Sequence, residues 1–412
     1  ADGLQGDGAL VIVLHAGDLT SAQTAGAANL DALGAGAHGA GHGVLHGAAV
    51  RDTLLQLLGD VLGHQLRVAV GLLDLHHIDV RGTAQEVGDL RLQGLDAGAA
   101  AADNHAGMRG FEIARKLEQE AKELGVEFWL STVAYGIFKE GVGIVRDGDN
   151  FIVKAKKVIV AAGGIENTTA FPGSTLPGVM LAGAAQTMTN IHRVLPGKRM
   201  VVVGSGNVGL IVAYQMLQAG AEVLAVVERD DHIGGYGVHA ERLRTAGVPI
   251  FTDTVIKCAS GKTSVEGVTT VKLDGNGAEI AGSEQEFNTD TVIMAVGMAP
   301  LTELLWNIGC RFEFIGELGG YVPLHNEFMQ TSVDGIYAAG DITGVEEASV
   351  AMEEGSIAGI AAAAACGCID ADKCKELCAS HIDALAVLES GEYDGERSAA
   401  RVRKLKLYKA AE

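Results

Sequence analysis

Apolar positions at Ile113, Leu117, Ala121 and Leu124 recur at helical spacing among charged neighbours, which predicts a helix over residues 111–124 with Gly125 as its stop. Val126–Phe138 is rich in β-formers. Gly141–Val145 and Phe151–Val153 then flank Arg146-Asp147-Gly148-Asp149-Asn150, whose Asp-Gly pair supplies the positive φ that a hairpin turn needs. Lys157–Ala162 reads as a short buried strand closing in Gly163-Gly164, so these pieces predict an antiparallel excursion returning to a main sheet. The stretch Phe171–Gly183, punctuated by Pro172, Gly173, Pro177 and Gly178, predicts a connector crossing between domains. A new unit begins near Lys198. Two further buried strands are expected in Thr289–Gly297 and Gly335–Gly340, the second followed by Asp341 and a small-residue helix over Ala348–Ala365. From Cys366 to Glu412 the pattern is charged and helical.

Within the new unit, Val201–Gly209 reads VVVGSGNVG: a β-branched run, then Gly204-Ser205-Gly206-Asn207-Val208-Gly209, then a helix through Ile211, Val212, Met216 and Leu217 that stops at Gly220. Gly204 permits the tight turn, Gly206 lets the backbone approach a pyrophosphate, and Gly209 lets helix and strand pack closely, while the helix N-terminus offers amides to phosphate. The next strand, Glu222–Val227, ends in Glu228, about twenty residues on. There a carboxylate accepts hydrogen bonds from an adenosine ribose 2′-hydroxyl and repels a 2′-phosphate. NAD(H) is favoured over NADP(H), with Arg229 next door pulling the other way. Strand, glycines, helix, second strand and acid in register outweigh an ordinary glycine-rich turn.

A second signal is YAAGDITG, Tyr337–Gly344. A buried strand ending in Gly340-Asp341 before a helix can set a carboxylate and amides beside a flavin, and locally an Asp341 N-cap explains it equally well. Order along the chain favours the flavin: a mid-chain fingerprint, strands ending at Ala162-Gly163 and at Gly297, then a late Gly-Asp turn.

Net charge of -21 argues against a nucleic-acid partner, and no apolar run reaches the length of a membrane span. With no leader pattern, a cytoplasmic location is expected. Six cysteines suit a reducing compartment. Cys366, Cys368, Cys374 and Cys378 match no common cluster spacing and read as incidental thiols rather than a metal site. With no CxxC or CxxxxC pair near either dinucleotide signal, a disulfide-reductase mechanism is not expected. His192, His232, His239, His325 and His381 carry no signature of a paired acid, and Glu346-Glu347 and Glu353-Glu354 read as solvated helix faces. No catalytic residue emerges, as expected where cofactors carry the hydride chemistry.

Several segments resemble the FAD- and NAD-linked oxidoreductases of the pyridine-nucleotide-disulfide-reductase-like superfamily, especially the group near hydrogen cyanide synthase, opine oxidase and the alpha subunit of sarcosine oxidase. They are AGMRGFEI (106–113), FPGSTLPGVMLAGAAQT (171–187), VVVGSGNVGL (201–210), GGYGVHAERLRTAGVPI (234–250), ELGGYVPLH (317–325) and GIYAAGDITG (335–344). The resemblance implies an α/β, two-dinucleotide-binding, Rossmann-like flavoprotein fold with the NAD domain inserted in an FAD domain. It also implies the cofactors FAD and NAD, a small-molecule substrate, and a partner subunit that oxidises an amine or amino acid. The expected division is 108–170 and 289–365 for an incomplete FAD domain, 171–288 for the NAD domain and 366–412 for a charged helical tail. The expected activity is hydride transfer between NAD(H) and FAD; the alternative is a non-catalytic NAD-binding or scaffold subunit of a larger dehydrogenase.

Residues 1–107 depart from that pattern. They hold no Phe, Tyr, Trp, Pro, Cys, Met or Lys, yet eight of the thirteen histidines, and their GxGxxG spacing at Gly34–Gly39 follows no β-branched strand. They read as an atypical, poorly ordered Ala/Gly-rich region. The complementary strand, read codon by codon from His105 back to Gln93, permits V-[VI]-[VI]-G-G-G-[GS]-[AP]-G-[VI]-[EQK]-[AST]-L, a flavin fingerprint. From His77 back to Leu72 it permits a strand ending in an acid. The expectation is an antisense translation of a flavin-domain coding segment.

Overall fold

A computed structural model describes residues 10–14, 68–70, 110–389 and 395–410. Ten strands build its two parallel sheets: β1 (Leu10–Leu14), β2 (Val68–Val70), β3 (Glu127–Phe128), β4 (Lys157–Ala161), β5 (Val179–Leu181), β6 (Arg199–Val203), β7 (Glu222–Val227), β8 (Ile250–Phe251), β9 (Thr291–Met294) and β10 (Ile336–Ala338). The helices are α1 (Gly110–Glu123), α2 (Ala182–Asn190), α3 (Asn207–Gln218), α4 (Gly237–Thr245), α5 (Glu303–Asn307), α6 (Ala348–Ala365), α7 (Ala371–Glu389) and α8 (Gly395–Ala410).

The first sheet has the order β10-β4-β1-β2-β3 and the second β8-β7-β6-β9-β5. Both follow the same plan, because a parallel strand buried on both faces needs cover on each side. In β6, Met200 and Val202 pack with Leu210, Val212 and Met216 of α3 and Leu243 of α4. Val201 and Val203, which alternate to the other face, pack with Ile256, Val265 and Val268 beneath the antiparallel strands Thr254–Ser260, Gly267–Lys272 and Gln285–Phe287. In the first sheet, Ile159 and Tyr337 face Ile357 and Ala361 of α6 and Leu377 of α7. Val158, Val160 and Ala338 face Ile137, Val142 and Ile144 of a second antiparallel meander. Each large aliphatic side chain buried this way contributes about 2 kcal/mol.

The meander turns where expected. Gly141–Arg146 pairs with Asp149–Val153 through a two-residue turn in which Asp147 and Gly148 have φ of 52° and 85°. The connector from Phe171 does more than cross between domains. Its end becomes β5, paired in parallel with β9 at the edge of the second sheet. Strand β9 pairs with β6, so Thr291–Met294 lies in the second sheet, beyond the boundary expected at residue 288. The crossings between the sheets are Gly164–Glu166 and Met298–Pro300, which pair antiparallel.

Two pieces of the compositionally odd N-terminal stretch enter the first sheet. β1 pairs with β4 from Leu10↔Lys157 to Leu14↔Ala161, and β2 joins β1 to β3. The complementary-strand fingerprints at 93–105 and 72–77 lie outside the described residues.

Candidate functional site

β6 ends at Val203, and the chain turns sharply into α3. Gly204 takes φ of 99°, and the place a Cβ would occupy lies 2.1 Å from the Ala295 carbonyl oxygen. At Gly209 that place lies 2.1 Å from the Gly204 carbonyl oxygen, so any side chain there would lever α3 off the strand. No atom lies within 4 Å of a Cβ placed on Gly206, and this N-cap residue caps no amide with a side chain, so that side of the loop is open to a phosphate at the start of α3. That arrangement fits a dinucleotide pyrophosphate. Gly297, at the end of the neighbouring strand, is exposed, and its carbonyl accepts the Asn167 N–H at 2.9 Å.

Glu228 follows β7 directly. Its Oε2 accepts both the backbone N–H and the hydroxyl of buried Ser205 at 2.7 Å, and its Oε1 accepts the Asp230 N–H. The expected acid and the glycine loop are thus brought together, with Arg229 exposed beside them. A segment not singled out on spacing, Gly234–Tyr236, folds onto the same loop. Gly234 N–H donates to Ser205 Oγ (3.2 Å), Gly235 N–H to the Ser205 carbonyl (2.8 Å), and Tyr236 N–H to Asn207 Oδ1 (2.8 Å). The side chains of Ser205 and Asn207 therefore hold protein rather than stand ready for ligand. Tyr236 Oη reaches Glu347 Oε1 at the start of α6 (3.4 Å), linking this segment to the helix that follows the Gly340-Asp341 turn. Behind it, burial and the Arg242 charge lower the buried His239 to a pKa of about 4, so its imidazole is neutral near pH 7.

The second turn closes the first sheet. β4 runs into buried Ala162 and then Gly163, and β10 into Gly340 (φ 79°), after which Asp341–Thr343 make one 3-10 turn. No atom lies within 4 Å of a Cβ placed on Gly163. Asp341 is not the N-cap of α6, whose cap is Glu347. Instead Asp341 Oδ1 accepts the Glu346 N–H at 3.2 Å. Burial raises Asp341 to a pKa of about 6, against the Glu346 N–H and with help from Glu354 and Glu347. An open glycine backbone beside a carboxylate fits the ribitol end of a flavin. The described residues include no second glycine loop for its diphosphate.

The acidic pairs are not solvated faces. Glu354 is 5% exposed: its Oε2 accepts the Gly340 N–H (2.8 Å), and both oxygens lie 3.1 Å from the Thr343 hydroxyl that donates to them. Glu346 is buried against Arg401 of α8, whose Nε donates to Oε1 at 2.7 Å and whose Nη2 contacts Oε2. Burial still pushes the Glu346 carboxyl up to about 7. Two of the histidines, expected to be structural or surface residues, do pair with an acid. His381 Nδ1 pairs with Glu353 Oε2 at 2.6 Å between α7 and α6, and His232 with Asp231 at 2.8 Å on the surface. Both are contacts within the fold. Cys374 and Cys378 are buried in the packing of α7 against α6, and no group of metal-ligating side chains is present among the described residues.

Two parallel sheets, each ending in a glycine turn at a helix, with the second inserted between the strands of the first, define a two-dinucleotide-binding fold. Residues 83–355 match the family described as pyridine nucleotide-disulphide oxidoreductase, which is well over half of the chain, and the protein belongs to that family. Among curated relatives, an opine oxidase subunit of Rhizobium meliloti is 30% identical over 230 residues, 54% of this chain and 44% of that protein. Thioredoxin reductase of Bacillus subtilis is 30% identical over 260 residues, 60% of this chain and 75% of its own. Hydrogen cyanide synthase subunit HcnB of Pseudomonas protegens is 26% identical over 53% of this chain and 50% of its own. The match thus spans about half the length of the opine oxidase and HcnB relatives. Among solved structures, Lactococcus lactis thioredoxin reductase superposes with a TM-score of 0.54 at 16% identity, covering 90% of this chain and 99% of that one. Family relatives use FAD and NAD(P)H. No helix of the described residues is long and apolar enough to cross a membrane.

Proposed function

We propose that this chain passes hydride between NAD(H) at Gly204–Gly209 and FAD at the Gly340-Asp341 turn, exchanging electrons onward with a small-molecule substrate or partner subunit. The observation that carries the reading is the pair of glycine turns, one at the end of each sheet, joined by the crossings at 164–166 and 298–300. NAD(H) and FAD, when bound, supply the hydride exchange. The chain's own part is to bind and align. Gly206 and the first amides of α3 receive the pyrophosphate, Glu228 receives the adenosine ribose and disfavours a 2′-phosphate, and Ala162, Gly163, Gly340 and Asp341 receive the flavin. Gly297, Val208 and Arg229 complete the nicotinamide-side set, to which Ser205 and Asn207 bring their backbone while their side chains hold Glu228 and the 234–236 segment in place. Two relatives bear the names opine oxidase and sarcosine oxidase, so an amine or amino acid is the proposed substrate class and an oxidase-type subunit the proposed partner. Both expectations rest on relatives, not on a site in this chain.

A second reading is favoured by one observation: residues 1–107 hold no GxGxxG that follows a β-branched strand. On that reading the chain is an NAD-binding scaffold subunit without flavin. An absorbance spectrum of the purified chain separates the two. A flavin spectrum that bleaches under anaerobic NADH supports the oxidoreductase; a colourless preparation that still binds NADH supports the scaffold.

A further inference from the structure

The last helix, α8, approaches the flavin turn from behind with a row of buried side chains. Ala400, Arg401, Lys404 and Tyr408 fall at helical spacing, and all are buried. Ala400 packs with Ile315, Leu318 and Val322. Lys404, 3% exposed, donates from Nζ to the Thr343 carbonyl at 2.6 Å. Arg401 grips Glu346, whose own N–H bonds Asp341. Glu354, inside the turn, accepts from Gly340 and Thr343, and the Lys404 charge acts on it. His325 shares this interior; burial and the Lys404 charge hold it well below its usual range, so it is neutral and Lys404 is the cation facing Glu354 and Thr343. Every residue of the turn from Gly340 to Thr343 that makes a polar contact to this network is tied, directly or through Glu346, to a charge on α8 or to Glu354.

We infer that α8 is a positioning element for the flavin turn: Lys404 and Arg401 supply the buried positive charge that lets Glu354 and Glu346 hold Gly340, Asp341 and Thr343 in ligand-receiving form. The physical reason is asymmetry. A buried carboxylate that loses its counter-charge either takes up a proton or moves toward water, and either outcome slackens the hydrogen bonds it makes. Asp341 would then lose the backbone that orients it. Lys404, Arg401, Glu354 and Glu346 are positioning residues in this account, which rests on the flavin reading above.

The test uses the full chain with FAD added. Lys404→Met keeps length and removes charge, and the double variant Lys404→Met with Glu354→Gln removes both charges while leaving an oxygen for the Gly340 N–H. Arg403→Gln, on the exposed side of α8 beside Glu317, is the control. The expected result is FAD binding weakened at least about tenfold in Lys404→Met, substantially regained in the double variant and unchanged in Arg403→Gln. NADH affinity should stay within about twofold throughout. Folded Lys404→Met with unaltered FAD affinity overturns the inference. So does a double variant as weak as the single, because packing rather than charge would then be at work. If the unaltered chain binds no FAD, the flavin reading fails by itself. The positioning role of α8 is then decided by hydrogen exchange at Gly340 and Thr343: faster exchange in Lys404→Met sustains it, and equal exchange overturns it.

Discussion

The two glycine turns end buried parallel strands in the same manner, yet they are held in place by different means. The Gly204–Gly209 loop is built from its own neighbourhood: glycine backbone against Ala295, Glu228 at the next strand end, and Gly234–Tyr236 folded over Ser205 and Asn207. Its counter-groups are backbone amides and one partly buried acid. The Gly340–Thr343 turn depends on buried charges brought from farther along the chain, Glu354 in α6 and Arg401 and Lys404 in α8. A cradle made of backbone tolerates changes elsewhere in the protein. One made of paired buried charges is only as sound as its remotest partner, because removing one member leaves the other buried and uncompensated.

The sharpest way to break the contrast is Glu354→Ala. It strands Lys404 and the Gly340 N–H, and a loss of about 3–5 kcal/mol of stability is expected, read by denaturant unfolding, with NADH affinity unchanged in the folded protein. Gly209→Val acts on the other side. A side chain cannot fit against the Gly204 carbonyl, so about 2–3 kcal/mol of stability should be lost. NADH binding should fall below detection in calorimetry, while added FAD still binds. A smaller effect is expected from Glu228→Ala. NADH affinity should drop about tenfold, and NADPH affinity should drop less or rise, as competition between the two nucleotides would report.

The smallest effect sharpens the comparison through pH. Asp341 rises from 3.8 to about 6 and Glu346 from 4.5 to about 7, both chiefly through burial. For an acid whose folded value is raised, the folded state holds the proton longer than the unfolded chain. Stability is therefore full below pH 4 and is lost as pH rises through about 6 to 7, then levels off. Melting temperatures followed across that window in the ligand-free protein should fall. Asp341→Asn and Glu346→Gln should each flatten the slope.

The same contrast explains what the sequence disclosed. The glycine loop is legible because each glycine, the strand before it and the acid after it act over short range. The hairpin at Asp147-Gly148 and the limits of α6 were readable for the same reason. Strand β5 was hidden because proline and glycine punctuation reads as a connector, and only its partner β9, far along the chain, makes it a strand. Glu354 was missed although a signal existed: it shares the face of α6 that buries Val350, Ile357, Ala358 and Ala361, where a solvated acid has no place. Its partners recur on α8 as Ala400, Arg401, Lys404 and Tyr408, an inward row inside a segment whose composition reads only as charged. Burial of a charge is decided by what packs against it, and no local pattern carries that information.

The central claim is that NAD(H) and a flavin meet on this chain. Its most direct test is anaerobic titration of the purified, FAD-supplemented protein with NADH, following the flavin absorbance. The account predicts bound flavin that bleaches on NADH and responds more weakly to NADPH. A chain that binds NADH but retains no flavin, or holds a flavin that NADH leaves oxidised, would contradict it.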